Sequence, residues 1–298
     1  MLPGTEVSQR VAHDTEIDAF WRDGVVCLRD VMPPEWIARM TRSVDAELGR
    51  SSITDLTAMG DALDAAGAPL VRDAPLDPSS PRGQFRAGTD HWVEQPDFLE
   101  FAAATPLPAL VAGLLRSQRV WLYEDSVLVK EPGTLDRTAF HQDLAYFHVD
   151  GDQVCTVWVP LDPVDTENGA VQYVRGSHRD RTTFRPNLFV TTQSLPDTVG
   201  ADVPDHVDDP ALVQFDTRPG DVVVHHARTI HGAHANHSVD RRRRALSIRY
   251  AGDDAVFRIK PGAPQKAHHA SLVEGAPLAA PACPLVWPVS PVGAARRR

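Results

Sequence analysis

The chain has 298 residues, 42% hydrophobic and 23% charged, an ordinary globular composition for one large core or two modest ones. Thirty Lys plus Arg against forty Asp plus Glu give a formal charge of −10, the opposite of the cation excess that phosphate binding needs, so no nucleic-acid partner is expected. Three dispersed cysteines without a Cys-x-x-Cys support neither a disulfide scaffold nor a thiolate zinc site. With no leader-like start and no apolar window of about eighteen residues, the expectation is a soluble cytoplasmic protein without a membrane span.

The elements are read in chain order. Asp14 is placed to cap a short helix carrying Ile17, Phe20 and Trp21; Gly24 stops it and Val25 to Leu28 follow as a strand. Pro33-Pro34 opens a second helix to about Leu48, with Trp36/Ile37, Met40, Val44 and Leu48 at helical spacing. Residues 51–90 are rich in Gly, Pro and Asp and read as a loop or lid that lines a substrate cavity; a third helical stretch runs from about Pro96 to Leu115. From Val120 the texture changes to short β-branched or aromatic runs: 121–123, 126–130, 154–159, 171–174, 212–215, 222–224 and 246–250. Turn residues such as Glu131-Pro132-Gly133, Asn168-Gly169 and Pro219-Gly220-Asp221 separate them, which argues a sandwich or small barrel of jelly-roll type. The expected organisation is a single domain: N-terminal helices and lid over about 1–118, a jelly-roll core over about 119–252, and a wrapping tail over about 253–298 that ends in a solvated Arg296-Arg297-Arg298.

A His-x-Asp pair lets one strand or turn present two ligands to one ion, yet four such pairs occur: His141/Asp143, His148/Asp150, His178/Asp180 and His206/Asp208. The last lies in an Asp-dense, Pro-flanked loop, and the third follows Arg175-Gly176-Ser177 at a strand exit towards solvent. His148 follows Tyr146-Phe147 in a stretch that reads as a packed wall. His141 enters from a strand and a Pro-Gly turn, and rigid elements hold ligands best, so the first pair is preferred. A third ligand is expected from the distant stretch 220–237, which offers His225, His226, His231, His234 and His237. Two imidazoles and one carboxylate on one face leave open positions, the arrangement of an O2-activating non-haem Fe(II) centre.

Several ordered segments together resemble the phytanoyl-CoA dioxygenase family: Val129-Lys130-Glu131-Pro132-Gly133, the run Phe140 to Phe147, Trp158, Asn168-Gly169, Gly176-Ser177-His178, Pro219-Gly220-Asp221, His231-Gly232, Asn236 and Arg243 to Ser247. The resemblance runs from about Gly24 to Tyr250. It implies a double-stranded β-helix, a jelly-roll of cupin-like form, with flanking helices, and the cofactors Fe(II), 2-oxoglutarate and O2. It places the iron ligands on His141, Asp143 and His231, the arginine for the distal carboxylate of 2-oxoglutarate on Arg243, and a tryptophan near that cosubstrate on Trp158. Sliding one loop by a residue puts Arg242 in the same role; strand alternation favours Arg243, which shares a face with Ala245 and Ser247. Ala233 stands where some relatives carry a hydroxyl.

An aspartate at 143 points to hydroxylation first, with desaturation, cyclisation or epimerisation as other outcomes of the same chemistry. The substrate is expected to be a small molecule, by analogy a natural-product intermediate, touched by Gln142 and Phe147, with Tyr146 beside them. Lys130 either reaches the site or ends a strand in solvent. The alternative class is a non-catalytic jelly-roll protein that binds a metal or ligand; a cupin-type enzyme with another metal is a third. Oligomeric state is left open.

Overall fold

The computed structural model describes residues 10–74, 82–204 and 206–288. The terminal arginines and part of the expected lid and tail lie outside them. Helix α1 (Asp14–Asp23) starts after His13, whose N–H is taken by the Glu16 side chain, so the cap is one residue earlier than expected. Gly24 then ends the helix at φ 77° and the chain enters strand β1 (Val25–Leu28). Helix α2 (Pro34–Glu47) buries Ile37, Met40 and Val44.

The segment expected to be a loop contains β2 (Thr54–Asp55), α3 (Leu56–Ala65) and β3 (Phe85–Thr89). Its Gly, Pro and Asp residues hid a strand that earns its place by pairing with β4 (Val120–Lys130) rather than by propensity. The third helical stretch is two helices, α4 (Pro96–Ala104) and α5 (Leu107–Leu114). Thr105 precedes Pro106 and is extended (ψ 177°), which breaks the helix there. No single helix among the described residues is long and apolar enough to cross a membrane.

The remaining strands are β5 (Thr138–His141), β6 (Val149–Asp150), β7 (Val154–Pro160), β8 (Val171–Val174), β9 (Leu212–Gln214), β10 (Val222–His226), β11 (His231–Ala233), β12 (Arg243–Ala251), β13 (Val256–Phe257) and β14 (Leu285–Trp287). The major sheet runs β1-β10-β7-β12-β4-β3-β2, with β14 also on β4; the minor sheet is β5-β11-β8-β9. The two face each other as a jelly roll. The runs 121–123 and 126–130 are one strand, because the β12 register passes from Arg249↔Glu124 to Tyr250↔Leu122 and leaves Tyr123 as a bulge.

Strand alternation divides the major sheet into two chemistries. Its outer face supplies Val127, Val129, Val157, Val224, Leu246 and Ile248 to a core shared with Phe20, Met40, Phe101 and Leu110 of the helices. The inner face carries Thr156 and Trp158 on β7, His225 on β10, and Arg243, Ser247 and Arg249 on β12, which line a cavity between the sheets. The tail returns across the barrel: β14 pairs β4, and Lys266 reaches Asp90 and Glu124 at 2.5 Å each.

Candidate metal centre

His141 ends β5, and Asp143 opens the single helical turn that follows it. His231 begins β11, and the minor sheet pairs it directly opposite His141, although ninety residues separate them. That register shifts between His231 and Ala233, where β5 comes so close that a Cβ on Gly232 would meet the Thr138 carbonyl oxygen at 2.8 Å. The glycine after His231 is therefore required by the approach of the neighbouring strand. One ligand atom from each of His141, Asp143 and His231 lies within 4.8 Å of the others, and all three residues are buried.

The backbone fixes the ring orientations. His141 Nδ1 donates to the Ala139 carbonyl at 2.8 Å and His231 Nδ1 to the Thr229 carbonyl at 3.0 Å, which leaves both Nε2 atoms facing Asp143. Burial, with the neighbouring imidazole adding to it, lowers His141 to about 3; burial and His225 lower His231 to about 4. Burial alone pushes the Asp143 carboxyl up, but Arg249 and the His225 hydrogen bond more than reverse it and hold the group well below the usual carboxylate range. Neutral imidazoles and an ionised carboxylate are the protonation states a divalent cation needs.

A cavity of about 40 Å³ joins these residues to Phe85, Trp158, Tyr173, Phe189 and Arg243. Arg243 is 2% exposed; its Nε has no hydrogen-bond partner, no carboxylate among the described residues pairs with it, and burial lowers it to about 10. Trp158 Nε1 and the Tyr173 hydroxyl, in the same cavity, are also buried without partners. Three unmet donors, one of them cationic, around one space fit the carboxylate of a bound 2-oxo acid. Room for Arg243 is kept by Gly169 (φ 103°), where a Cβ would sit 3.3 Å from Nε. Lys130 pairs across strands with Arg243 but is fully buried and donates to the His234 carbonyl at 2.7 Å, so it holds the loop after β11.

Arg242 points outward to Glu131 and Asp45. Gln142 and Phe147, the expected substrate contacts, do not line this cavity. Gln142 donates to the Thr182 and Arg228 carbonyls and accepts from Phe184 N–H, which uses its amide in loop anchoring. Phe147 packs against Tyr123 in a separate apolar cluster, and Tyr146 bonds Asn187; neither lines the cavity. The other His-x-Asp pairs have structural roles. His148 Nε2 donates to the Pro264 carbonyl while Nδ1 accepts from Lys260 N–H, and His206 pairs with Asp209. His178, read as facing solvent, is buried beneath α1 and donates to the Trp21 carbonyl, because the N-terminal helix covers that strand end. Sequence reasoning missed Tyr173, Thr156 and Arg249, and offered His225 only as one of five candidate ligands, whereas it faces Asp143 Oδ2 instead. Alternation along β7 and β12 was the available signal for two of them, since Thr156 and Arg249 sit an even number of residues from Trp158 and Arg243 on the same strands.

The sequence model of the family described as phytanoyl-CoA dioxygenase matches residues 20–245. A probable alpha-ketoglutarate-dependent hypophosphite dioxygenase of Stutzerimonas stutzeri is 32% identical over 149 residues, 49% of this chain and 51% of that protein. The match thus spans about half the length of that curated relative. Among solved structures, the epimerase SnoN in complex with Fe3+, alpha ketoglutarate and nogalamycin RO is 25% identical with a TM-score of 0.63, over 92% of this chain and 98% of that one. The carbocyclase SnoK from nogalamycin biosynthesis, 22% identical with a TM-score of 0.64 over 95% and 99% of the two chains, shares the fold.

Proposed function

Because the chain belongs to the phytanoyl-CoA dioxygenase family, we propose that it is an Fe(II)- and 2-oxoglutarate-dependent oxygenase that oxidises a small molecule. The observation that carries this reading is the convergence of His141, Asp143 and His231 in the cavity that also holds the unpaired Arg243. A site retired from catalysis has no physical reason to keep a buried guanidinium without a counter-ion, since an unpaired buried charge is costly.

His141, Asp143 and His231 would hold the ferrous ion, and Arg243 with Trp158 and Tyr173 would receive the distal carboxylate of 2-oxoglutarate. When bound, the two supply O2 activation by oxidative decarboxylation to succinate and CO2. The protein's own part is placement. Arg243 offers a planar fork to a planar carboxylate, which Lys could not reproduce. Trp158 and Tyr173 add donors at the same end, while Phe85 and Phe189 wall off water. With Asp143 in the ligand set, hydroxylation is the expected outcome. The epimerase and carbocyclase with this fold support a natural-product intermediate as substrate, and ring closure or epimerisation as variants of the outcome.

The test is an anaerobic titration of apoprotein with Fe(II) and then 2-oxoglutarate, followed through the visible metal-to-ligand charge-transfer band. A band that requires both components, is lost in Asp143→Ala and survives in His148→Ala is the expected result. Absence of the band from the unmodified protein would reject the oxygenase reading.

A further inference from the structure

The two oxygens of Asp143 face different surroundings. Oδ1 lies 3.7 Å from His141 Nε2 and 3.8 Å from His231 Nε2, so it is the oxygen that shares a point with both imidazoles. Oδ2 is turned into the major sheet. The Thr156 hydroxyl donates to it, His225 Nε2 is 3.2 Å away, and Arg249 Nε stands 3.9 Å off. These groups form one row across adjacent strands: Arg249 of β12 is directly opposite Thr156 of β7, which is directly opposite His225 of β10. The row continues to Glu124 on β4, opposite Arg249 and 3.3 Å from it, and Glu124 is held in turn by Lys266 of the returning tail.

We infer that this row is a carboxylate clamp, with His225 as a positioning residue acting through Asp143. The inference rests on the reading of the cluster as a metal site. A carboxylate beside a dication can offer one oxygen or both, and a second oxygen would occupy a position needed by a chelating cosubstrate or by O2. Two donated hydrogen bonds fill the lone-pair directions of Oδ2, the Arg249 guanidinium 3.9 Å away adds its charge, and Oδ1 alone is left to face the metal. The two donors sit on adjacent hydrogen-bonded strands, with Arg249 on a third, so the carboxylate cannot turn without disturbing the sheet. His225 also packs 4.3 Å from the His231 ring and 5.2 Å from Tyr173, ring centroid to ring centroid, so one side chain fixes one ligand by a hydrogen bond and braces another. Its neighbour His226, one residue on, points the other way onto Trp21 and His178.

Fe(II) and Co(II) affinities of apoprotein variants, measured anaerobically by competition with a chromophoric chelator, test the clamp without any turnover. His225→Phe and Thr156→Val are expected to weaken metal binding by about ten- to a hundredfold, the range for losing an outer partner of a metal ligand. His225→Gln and Thr156→Ser, which retain a donor, should recover most of that loss. His226→Phe should leave the affinity unchanged. Wild-type affinity in His225→Phe and Thr156→Val, or a Gln variant no better than Phe, overturns the clamp. Near-UV circular dichroism checks folding, and if His225→Phe fails to fold, the Thr156 pair decides. Metal binding with no 2-oxoglutarate band in the wild type rejects the oxygenase reading yet leaves the clamp comparison valid. No metal binding rejects both.

Discussion

Arg243 and Arg242 are adjacent in sequence and opposite in consequence. Arg243 faces the cavity with an unmet Nε, while Arg242 is tied at the surface to Glu131 and Asp45. Arg243→Leu is therefore expected to raise the 2-oxoglutarate concentration needed for half-saturation at least about tenfold, since a charge-assisted hydrogen bond contributes roughly 1.5–3 kcal/mol. Iron affinity in the absence of 2-oxoglutarate should change little. Arg242→Leu should leave the 2-oxoglutarate requirement unaltered, and titration of the charge-transfer band measures both. An effect at Arg242 with none at Arg243 would exchange their roles. The sequence left this choice to alternation along one strand, and alternation is a property of the local backbone that a loop slide of one residue inverts.

The turn Pro219-Gly220-Asp221 shows how an element can carry a family motif for structural reasons. Asp221 is fully buried; its carboxylate accepts from Asp30 N–H at 3.1 Å and Arg218 N–H at 3.1 Å and pairs with Arg29 at 2.7 Å. It thereby locks the end of β1 to the entry of β10, the strand that delivers His225. Asp221→Ala would remove the acceptor of both N–H bonds and the partner of Arg29, and is expected to cost about 1–3 kcal/mol in chemical denaturation. Metal affinity per folded molecule should be retained; a selective loss of metal with unchanged stability would move Asp221 into the site. At the same scale, β3 was invisible in a Gly- and Asp-rich segment because β4 supplies its pairing, while Leu56 of α3 and the distant Leu128, Phe189 and Val190 supply the apolar cover around Phe85.

Across the whole molecule, the outer face of the major sheet meets the helices in a core that also encloses a carboxyl group. Asp125 on β4 is fully buried, and burial, reinforced by the carboxylates of Asp90 and Glu124, raises it to about 8. The folded state therefore keeps a proton that the unfolded chain releases near the ordinary aspartate value of about 4. Its stabilisation is complete below that value and is lost as pH rises towards about 8. Between these limits one proton corresponds to a slope of about 1.4 kcal/mol per pH unit. Asp125→Asn should flatten the decline of stability from pH 5 to 8, read as the difference between wild-type and variant denaturation midpoints. Parallel curves would show that Asp125 ionises normally in the fold.

Local patterns in the sequence were enough for the jelly-roll class, the shared face of Arg243, Ala245 and Ser247, and the family. Strand alternation and turn residues act over two to four positions, and the family segments lie in a fixed order along the chain. The sequence offered four His-x-Asp pairs and five distal histidines; tertiary structure brings together His141, Asp143 and His231 and puts His148, His178 and His206 in structural bonds. It also decided that Gln142 anchors a loop, that β3 joins the major sheet, and that Arg249, Thr156 and His225 stand in one row behind Asp143. The physical reason is register. Which residue of one strand lies opposite which residue of another depends on hydrogen bonding between segments tens of residues apart, and no local pattern specifies that pairing.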